Sequence, residues 1–341
     1  MRNKFYFLDE DVKKIHQHVD FSEMKNKSIL ITGATGLIGL YLLLSLKDIF
    51  IEYNIKITII YKSKIDDLFK CFIDFDKIEC INEDITDIKS LESKLGTYDY
   101  IIHSAGYGQP NRFLENELKT IELNTSSTLF LFKKLNTNGK FLFVSSSEVY
   151  SGIDNNQTES VVGRTTPEHN RACYIEGKKC GETICNIYRK SGVNAKSVRL
   201  SLAYGPGTKI NDKRVLTNFI EKSILDKEIK LLDNGSSIRT YIYVADAIIM
   251  FWKILFEGKQ NVYNVGGIQP KSIFNIAKKI ASLMNVEVIK PNTEHTLTGS
   301  PKSVKIDLKR YKEEFGFFDF ESIENGLKKT IEWHKILYQN K

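Results

Sequence analysis

Tyr174 and Lys178 stand four residues apart in Arg171-Ala-Cys-Tyr-Ile-Glu-Gly-Lys-Lys179. The spacing predicts a helix that begins just after Pro167-Glu-His-Asn170 and carries both side chains on one face. A phenol beside a fixed ammonium has its phenolate favoured, which makes the pair a candidate proton acceptor near neutral pH. Tyr-x-x-x-Lys also arises by chance, as a packed ring and a solvated lysine, so its meaning depends on what the chain gathers around it. Ser146, Ser147 and Glu148 follow the apolar run Lys140–Val144. A strand there delivers hydroxyls and a carboxylate to its C-terminal end, where ligands bind in open α/β sheets; the same residue types also suit helix capping. Arg214 and Arg239 offer planar forks that match phosphate or carboxylate, although a lone arginine is more often a surface residue.

The elements that must position these groups alternate. Ser28-Ile-Leu-Ile-Thr reads as a strand running into Gly33, Gly36 and Gly39, and Leu40–Leu46 as the helix behind it. Glycines at this turn let the backbone approach a pyrophosphate, while the helix N-terminus presents free N–H groups to it. Lys56–Ile60, Ile78–Ile85, Tyr98–Gly106 and Val198–Leu202 read as further strands, and Thr120–Asn124 lies in a helix. Asp84 and Ile85 sit where an adenine could be met, and Ala105 ends a strand in small residues that a cofactor could approach. The second strand runs into Tyr61-Lys-Ser-Lys64 without the acidic residue that holds an NAD ribose, which leaves room for the 2′-phosphate of NADP. After about residue 200 the rhythm loosens. The expected organisation is an accessory helix in 1–27, a dinucleotide-binding domain over 28–200 and a mainly substrate-binding domain over 201–341, with a segment near 260–266 returning to the main sheet. Lys271–Met284 and Ser322–Tyr338 read as amphipathic helices.

With 341 residues, 42% hydrophobic and 27% charged, the chain can bury a sizeable core. Its net charge of +7 is spread along the sequence, which fits a solvated surface and anionic small ligands but not nucleic acid. The five cysteines form no Cys-x-x-Cys pair and their number is odd, as expected of reduced thiols. His16 and His18 are two apart and share no helix face, so no metal site is expected. Ile29–Leu46 has no charge and is long enough to suggest a membrane span, but the glycines in its middle favour strand, turn and buried helix. No targeting segment is evident, so the expectation is a cytoplasmic protein without membrane or metal partners.

From about Lys27 to His334 the chain resembles the extended short-chain dehydrogenase/reductase family, also called the NAD-dependent epimerase/dehydratase family, whose members modify nucleotide sugars. Gly33-Ala-Thr-Gly-Leu-Ile-Gly39 is similar to its cofactor loop, and Ser146, Tyr174 and Lys178 to its catalytic triad. Within the family, Arg171–Lys178, Ser146–Tyr150, Asn211–Val215 and His103–Asn124 are similar to runs of the UDP-glucuronate decarboxylases. The resemblance implies a Rossmann-type doubly wound parallel sheet with a smaller C-terminal α/β domain, and a tightly bound NAD, with NADP as the alternative. It implies cofactor contacts from Gly33, Thr35, Gly36, Leu37, Ile38, Gly39, Asp84, Ile85, Ala105, Asn124, Tyr174 and Lys178. Ser146, Ser147, Glu148, Tyr174 and Lys178 are the implied catalytic residues, with Arg214 and Arg239 on the substrate. The implied chemistry is transient oxidation at C4 of a nucleotide sugar followed by decarboxylation, with 4,6-dehydration, C4 epimerisation and a non-catalytic nucleotide-binding protein as alternatives. Relatives often pair as homodimers through the helices carrying Asn124 and Tyr174. Three departures stand out: Leu202 replaces the asparagine two residues before Tyr-Gly-Pro, Ser151 replaces the glycine after Val-Tyr, and the acid after the second strand is missing.

Overall fold

The computed structural model describes residues 5–65, 70–155, 157–210, 212–291 and 302–339. Asn211, which opens one of the family-like runs, lies outside the described residues.

A seven-stranded parallel sheet forms the centre, in the order β11-β6-β5-β4-β1-β2-β3. Its strands are β1 (Ser28–Thr32), β2 (Lys56–Tyr61), β3 (Glu79–Asn82), β4 (Tyr98–His103), β5 (Leu135–Ser146), β6 (Asn194–Leu200) and β11 (Val262–Val265). Their apolar residues alternate between two cores. Ile29, Ile31, Ile57, Ile59, Ile102 and Leu142 face one, and Leu30, Ile60, Ile101, Phe141 and Phe143 face the other, so both faces must be covered by helices. The chain runs outward from β1 through β2 and β3, then back to β4 on the other side of β1. That reversal opens a crevice at the C-terminal ends of β1 and β4, the position where doubly wound sheets bind ligands.

Helices α1 (Tyr6–His18), α2 (Leu37–Leu46), α3 (Glu117–Asn124), α4 (Ser126–Phe132) and α5 (Ala172–Lys190) clothe the sheet. Ile29–Leu46 therefore divides into β1, a glycine turn and α2, in which Gly39–Leu46 are all buried. No helix among the described residues is long and apolar enough to cross a membrane, and no group of three or more His, Cys, Asp or Glu among them could hold a metal ion.

Beyond β6 come α6 (Val215–Leu225), α7 (Val244–Glu257), α8 (Ile273–Met284) and α9 (Ile323–Gln339), with three two-stranded sheets. One of these pairs β7 (Leu202–Tyr204) with β10 (Tyr241–Tyr243) in parallel. The return to the main body starts before residue 260. Every residue of α7 from Val244 to Trp252 is buried, and Trp252 donates its indole N–H to Ser45 of α2 at 2.9 Å. A helix this apolar all round has to be enclosed on every side, and α7 packs against α2 and the main sheet.

The amino-terminal helix is part of the core. Phe7, Leu8, Val12 and Ile15 are buried, and so is Asp11. Its carboxylate accepts from the hydroxyls of Tyr41 and Tyr243, both at 2.7 Å, and from Lys329 at 3.1 Å. A buried charge needs such partners, because an uncompensated one costs several kcal/mol.

Candidate active site

One cleft of about 1150 Å³ runs across the C-terminal ends of the strands. It is lined by Gly33, Thr35, Gly36, Leu37, Ile38, Gly39, Asp84, Ile85, Ala105, Ser146, Ser147, Glu148, Tyr174, Lys178, Arg214 and Arg239. These are all the sequence-derived candidates except Asn124.

At the β1 end the backbone is packed too tightly for side chains. Gly33 has φ +74°, and a Cβ there would lie 2.7 Å from the Ala105 amide nitrogen; one on Gly39 would lie 2.4 Å from the Gly33 carbonyl oxygen. The close approach is locked from beneath. Thr32 Oγ1 bonds His103 Nδ1 at 2.7 Å and accepts the Ala105 amide at 3.1 Å, while Ser104 donates to the Thr32 carbonyl at 2.6 Å. Burial lowers the His103 pKa to about 4, so the ring is a neutral strut at physiological pH. The turn then feeds α2, capped by Gly36 with no side-chain capping bond. Its first amides remain available to a pyrophosphate, and this cradle fits the dinucleotide that the glycine spacing implies.

Asn124 is 1% exposed and does not line the cleft; its Oδ1 is buried without a hydrogen-bond partner. Its Nδ2 donates to the Thr120 carbonyl at 2.7 Å, and a Cβ on Gly177 would come 3.3 Å from that nitrogen. Asn124 thus packs in the seam between α3 and α5, and its neighbour Leu123 reaches the cleft instead.

Across the cleft, α5 presents Tyr174 and Lys178. Phe113 stacks on the Tyr174 ring at 4.6 Å, and the Arg171 guanidinium lies over the Phe113 ring at 5.3 Å. Lys178 donates to the Val144 carbonyl at 2.7 Å and stands 5.7 Å from the centre of the Tyr174 ring. The phenolate expected from the sequence is not what the surroundings favour. Burial raises the Tyr174 pKa, the Ser146 hydroxyl offsets part of the rise, Glu148 adds to it, and Arg171 and Arg214 act against it. Burial also pulls Lys178 down to about 7. For both groups burial is the first cause of the shift, and it disfavours the charged form of each.

Ser146 ends β5, and its hydroxyl accepts the Glu148 amide at 3.2 Å. Glu148 Oε1 pairs with Arg171 Nη2 at 2.8 Å, with both side chains largely shielded. Glu148 Oε2 and Arg171 Nε are buried without a partner, as is the Tyr241 hydroxyl. All three residues line the cleft, and polar atoms left in this state are places for a ligand's polar groups. Arg239, 8% exposed, lies within electrostatic reach of Tyr241, Glu148 and Arg171. Arg214 is at the cleft too, but Asp212 occupies its fork at 2.6–3.0 Å. Arg171 and Tyr241 were not singled out as site residues from the sequence. Arg171 opens the family-like run Arg171–Lys178, and its partner Glu148 lies 23 residues upstream.

Several known proteins are similar to this chain in sequence or in fold. UDP-glucuronic acid decarboxylase 1 of Xenopus tropicalis is 28% identical over 350 residues, spanning 98% of this chain and 79% of its own. UDP-glucose 4-epimerase of Thermotoga maritima, solved with UDP-glucose, superposes with a TM-score of 0.78 at 20% identity over 91% of this chain and 99% of its own. UDP-glucuronic acid 4-epimerase of Bacillus cereus, solved with UDP-glucuronic acid and NAD, gives 0.75 at 23% identity over 91% and 100%. The model of the NAD dependent epimerase/dehydratase family matches residues 29–266, from β1 through the glycine cradle and the Tyr–Lys helix to β11, and the chain belongs to that family.

Proposed function

We propose that the protein is a nucleotide-sugar decarboxylase acting on a UDP-glucuronate-type substrate. The observation that carries this reading is the cluster of Arg171, Arg239 and Glu148 beside Tyr174. Two largely shielded guanidiniums near one carboxylate suit a sugar that itself bears a carboxylate. The curated relative spanning nearly the whole chain supports it. The residues that would hold the cofactor are the glycine cradle, Ala105, Tyr174 and Lys178. When bound, NAD supplies the two-electron acceptor for the alcohol at C4.

Tyr174, once its own proton has left, takes the proton of the 4-hydroxyl. The Ser146 hydroxyl and the Arg171 and Arg214 guanidiniums, which act against its raised pKa, hold the phenolate, and Ser146 keeps the 4-oxygen in line. Lys178, fixed to the Val144 carbonyl, sets the position of the nicotinamide ribose. With C4 at the ketone level, the C5 carboxylate is β to a carbonyl and leaves as carbon dioxide. The electron pair of the broken bond stays on the C5–C4 enolate, which then takes up a proton from solvent at C5. Arg171 orients Glu148 toward C5, and Arg239 holds the anionic part of the substrate. Reduction of C4 by the electrons first removed leaves a pentose and no net redox change.

Incubation of the purified protein with UDP-glucuronate, UDP-glucose, GDP-mannose and dTDP-glucose, followed by mass spectrometry, tests the reading. Loss of carbon dioxide from UDP-glucuronate is expected. Loss of water from a hexose nucleotide would make the enzyme a dehydratase and overturn the decarboxylase reading, as would recovery of every substrate unchanged in mass.

We also infer a homodimer through the helices carrying Asn124 and Tyr174. Leu118 (80% exposed), Leu129 (45%) and Ile187 (57%) leave apolar side chains on the surface of α3, α4 and α5, which supports this pairing. Sedimentation should give twice the chain mass.

A further inference from the structure

Behind the Tyr–Lys pair stands a carboxylate that the chemistry of the cleft does not itself use. Tyr174, Lys178 and Glu182 follow one another at four-residue intervals along α5, so the three share one helix face. Lys178 and Ser145 line the cleft; Glu182 does not. The Glu182 side chain is 12% exposed and that of its partner Arg199 4%.

This carboxylate is clamped from two strands. Glu182 Oε1 accepts the Ser145 hydroxyl of β5 at 2.6 Å and Arg199 Nε of β6 at 3.0 Å, and Oε2 accepts Arg199 Nη2 at 2.8 Å. Arg199 is held in turn, its Nη1 donating to the Tyr150 hydroxyl and the Val161 carbonyl, both at 2.9 Å. Ser145 stands between Ser146 and Val144, whose carbonyl takes the Lys178 ammonium at 2.7 Å. One clamp therefore fixes both the strand end that seats the lysine and the charge one helical turn beyond it.

Little other charge faces Lys178. Burial pulls it down to about 7, and the Glu182 carboxylate acts against that fall. From β4 comes His103, neutral because burial lowers it to about 4. From β5 come the Val144 carbonyl and the Phe143 ring, 5.0 Å away. The Arg199 fork of β6 is spent on Glu182, and Glu148, just after β5, is paired with Arg171. Lys196 of β6 bonds toward α7 instead. Arg112, Glu115, Glu117, Lys119 and Glu122, on the helices packed against α5, are exposed, and α4 has no ionisable residue.

We propose that Glu182 is a positioning residue: locked by Ser145 and Arg199, its carboxylate keeps the Lys178 ammonium charged and seated on the Val144 carbonyl, so that the pH range of turnover is set from outside the cleft. The proposal rests on the reading of Lys178 as the residue that holds the nicotinamide ribose. Two pH profiles of the full chain test it: kcat/KM for UDP-glucuronate, and the Kd of NADH read by its fluorescence, which needs no sugar. Glu182→Gln keeps an oxygen for Ser145 and removes the charge. Combining it with Arg199→Gln also removes the cation that the first change would strand in the interior. In both variants the pH at which NADH binding weakens, and the descending limb of kcat/KM, should move down by about one unit, a tenfold loss above the limb. At about pH 5.5, where the lysine is charged either way, both readouts should stay within roughly threefold of the wild type. Lys178→Met should lose the inflection in NADH binding, and its persistence there would overturn the proposal. So would a uniform loss at every pH with the inflection unmoved, which is what a purely fold-stabilising pair would give, or a wild-type Kd that does not change with pH. If the wild type leaves UDP-glucuronate unchanged while the NADH inflection moves as stated, the decarboxylase reading falls and the role of Glu182 stands.

Discussion

Lys178 and Lys196 undergo the same physical change in two regions of the molecule. Each is buried, at 5% and 1% exposure, and burial pulls each down to about 7. Their surroundings differ. Lys178 borders the cleft beside Tyr174. Lys196 lies within β6, where it donates to Asn194 Oδ1 at 2.6 Å and to the Leu255 carbonyl at 3.1 Å, with Lys140 and Arg189 adding to its shift. A displaced pKa records lost water and neighbouring charge. It becomes chemistry only where a cleft and a proton-carrying partner share the spot.

Tyr174→Phe should give the largest effect, cutting turnover roughly a thousandfold while the cofactor still binds, as read by fluorescence of the bound reduced dinucleotide. Retained turnover would mean that the proton leaves by another route and that Lys178 has no partner to distinguish it from Lys196. Lys178→Met should follow, with turnover down roughly a hundredfold and weaker cofactor binding. Lys196→Met should leave turnover within about twofold. If both lysine variants lost activity alike, the contrast would collapse into a shared structural role.

The smallest effect is one of pH. Both lysines have folded pKa values near 7, below the 10.5 of a free lysine. Between those values the unfolded chain binds protons that the fold does not, so their contribution makes stability rise with pH. Lys196→Met should flatten the dependence of unfolding free energy on pH between 7 and 9.5 by about one proton. Urea titrations at a series of pH values measure that slope, and an unchanged slope would show Lys196 to be charged in the fold.

Short-range spacing made much of the molecule legible. The glycine turn, the Tyr–Lys helix and the serine–glutamate strand end are each complete within a dozen residues, and periodicity placed the strands around them. What remained hidden depends on which way a helix turns, or on partners far along the chain. Asn124 and Leu123 are adjacent, yet helix rotation sends one into the α3–α5 seam and the other to the cleft. The phenol–ammonium pair was visible, but not that burial would outweigh the ammonium. Asp11 sits in an amphipathic helix where a carboxylate reads as solvent-facing. Its burial depends on Tyr41, Tyr243 and Lys329, which no local pattern connects to it.

That carboxylate sets an order of events during synthesis. Asp11 and Lys329 are 318 residues apart, an interval that a ribosome adding about 5–20 residues per second covers in roughly 15–60 s. Throughout that time the apolar face of α1 and the charge at its centre exist without α9. Tyr41 follows within 30 residues and can hold the helix loosely, but the lysine that balances Asp11 comes 318 residues later. This helix is therefore sealed only when α9 emerges, and nascent chains stalled before α9 should be the ones that engage chaperones.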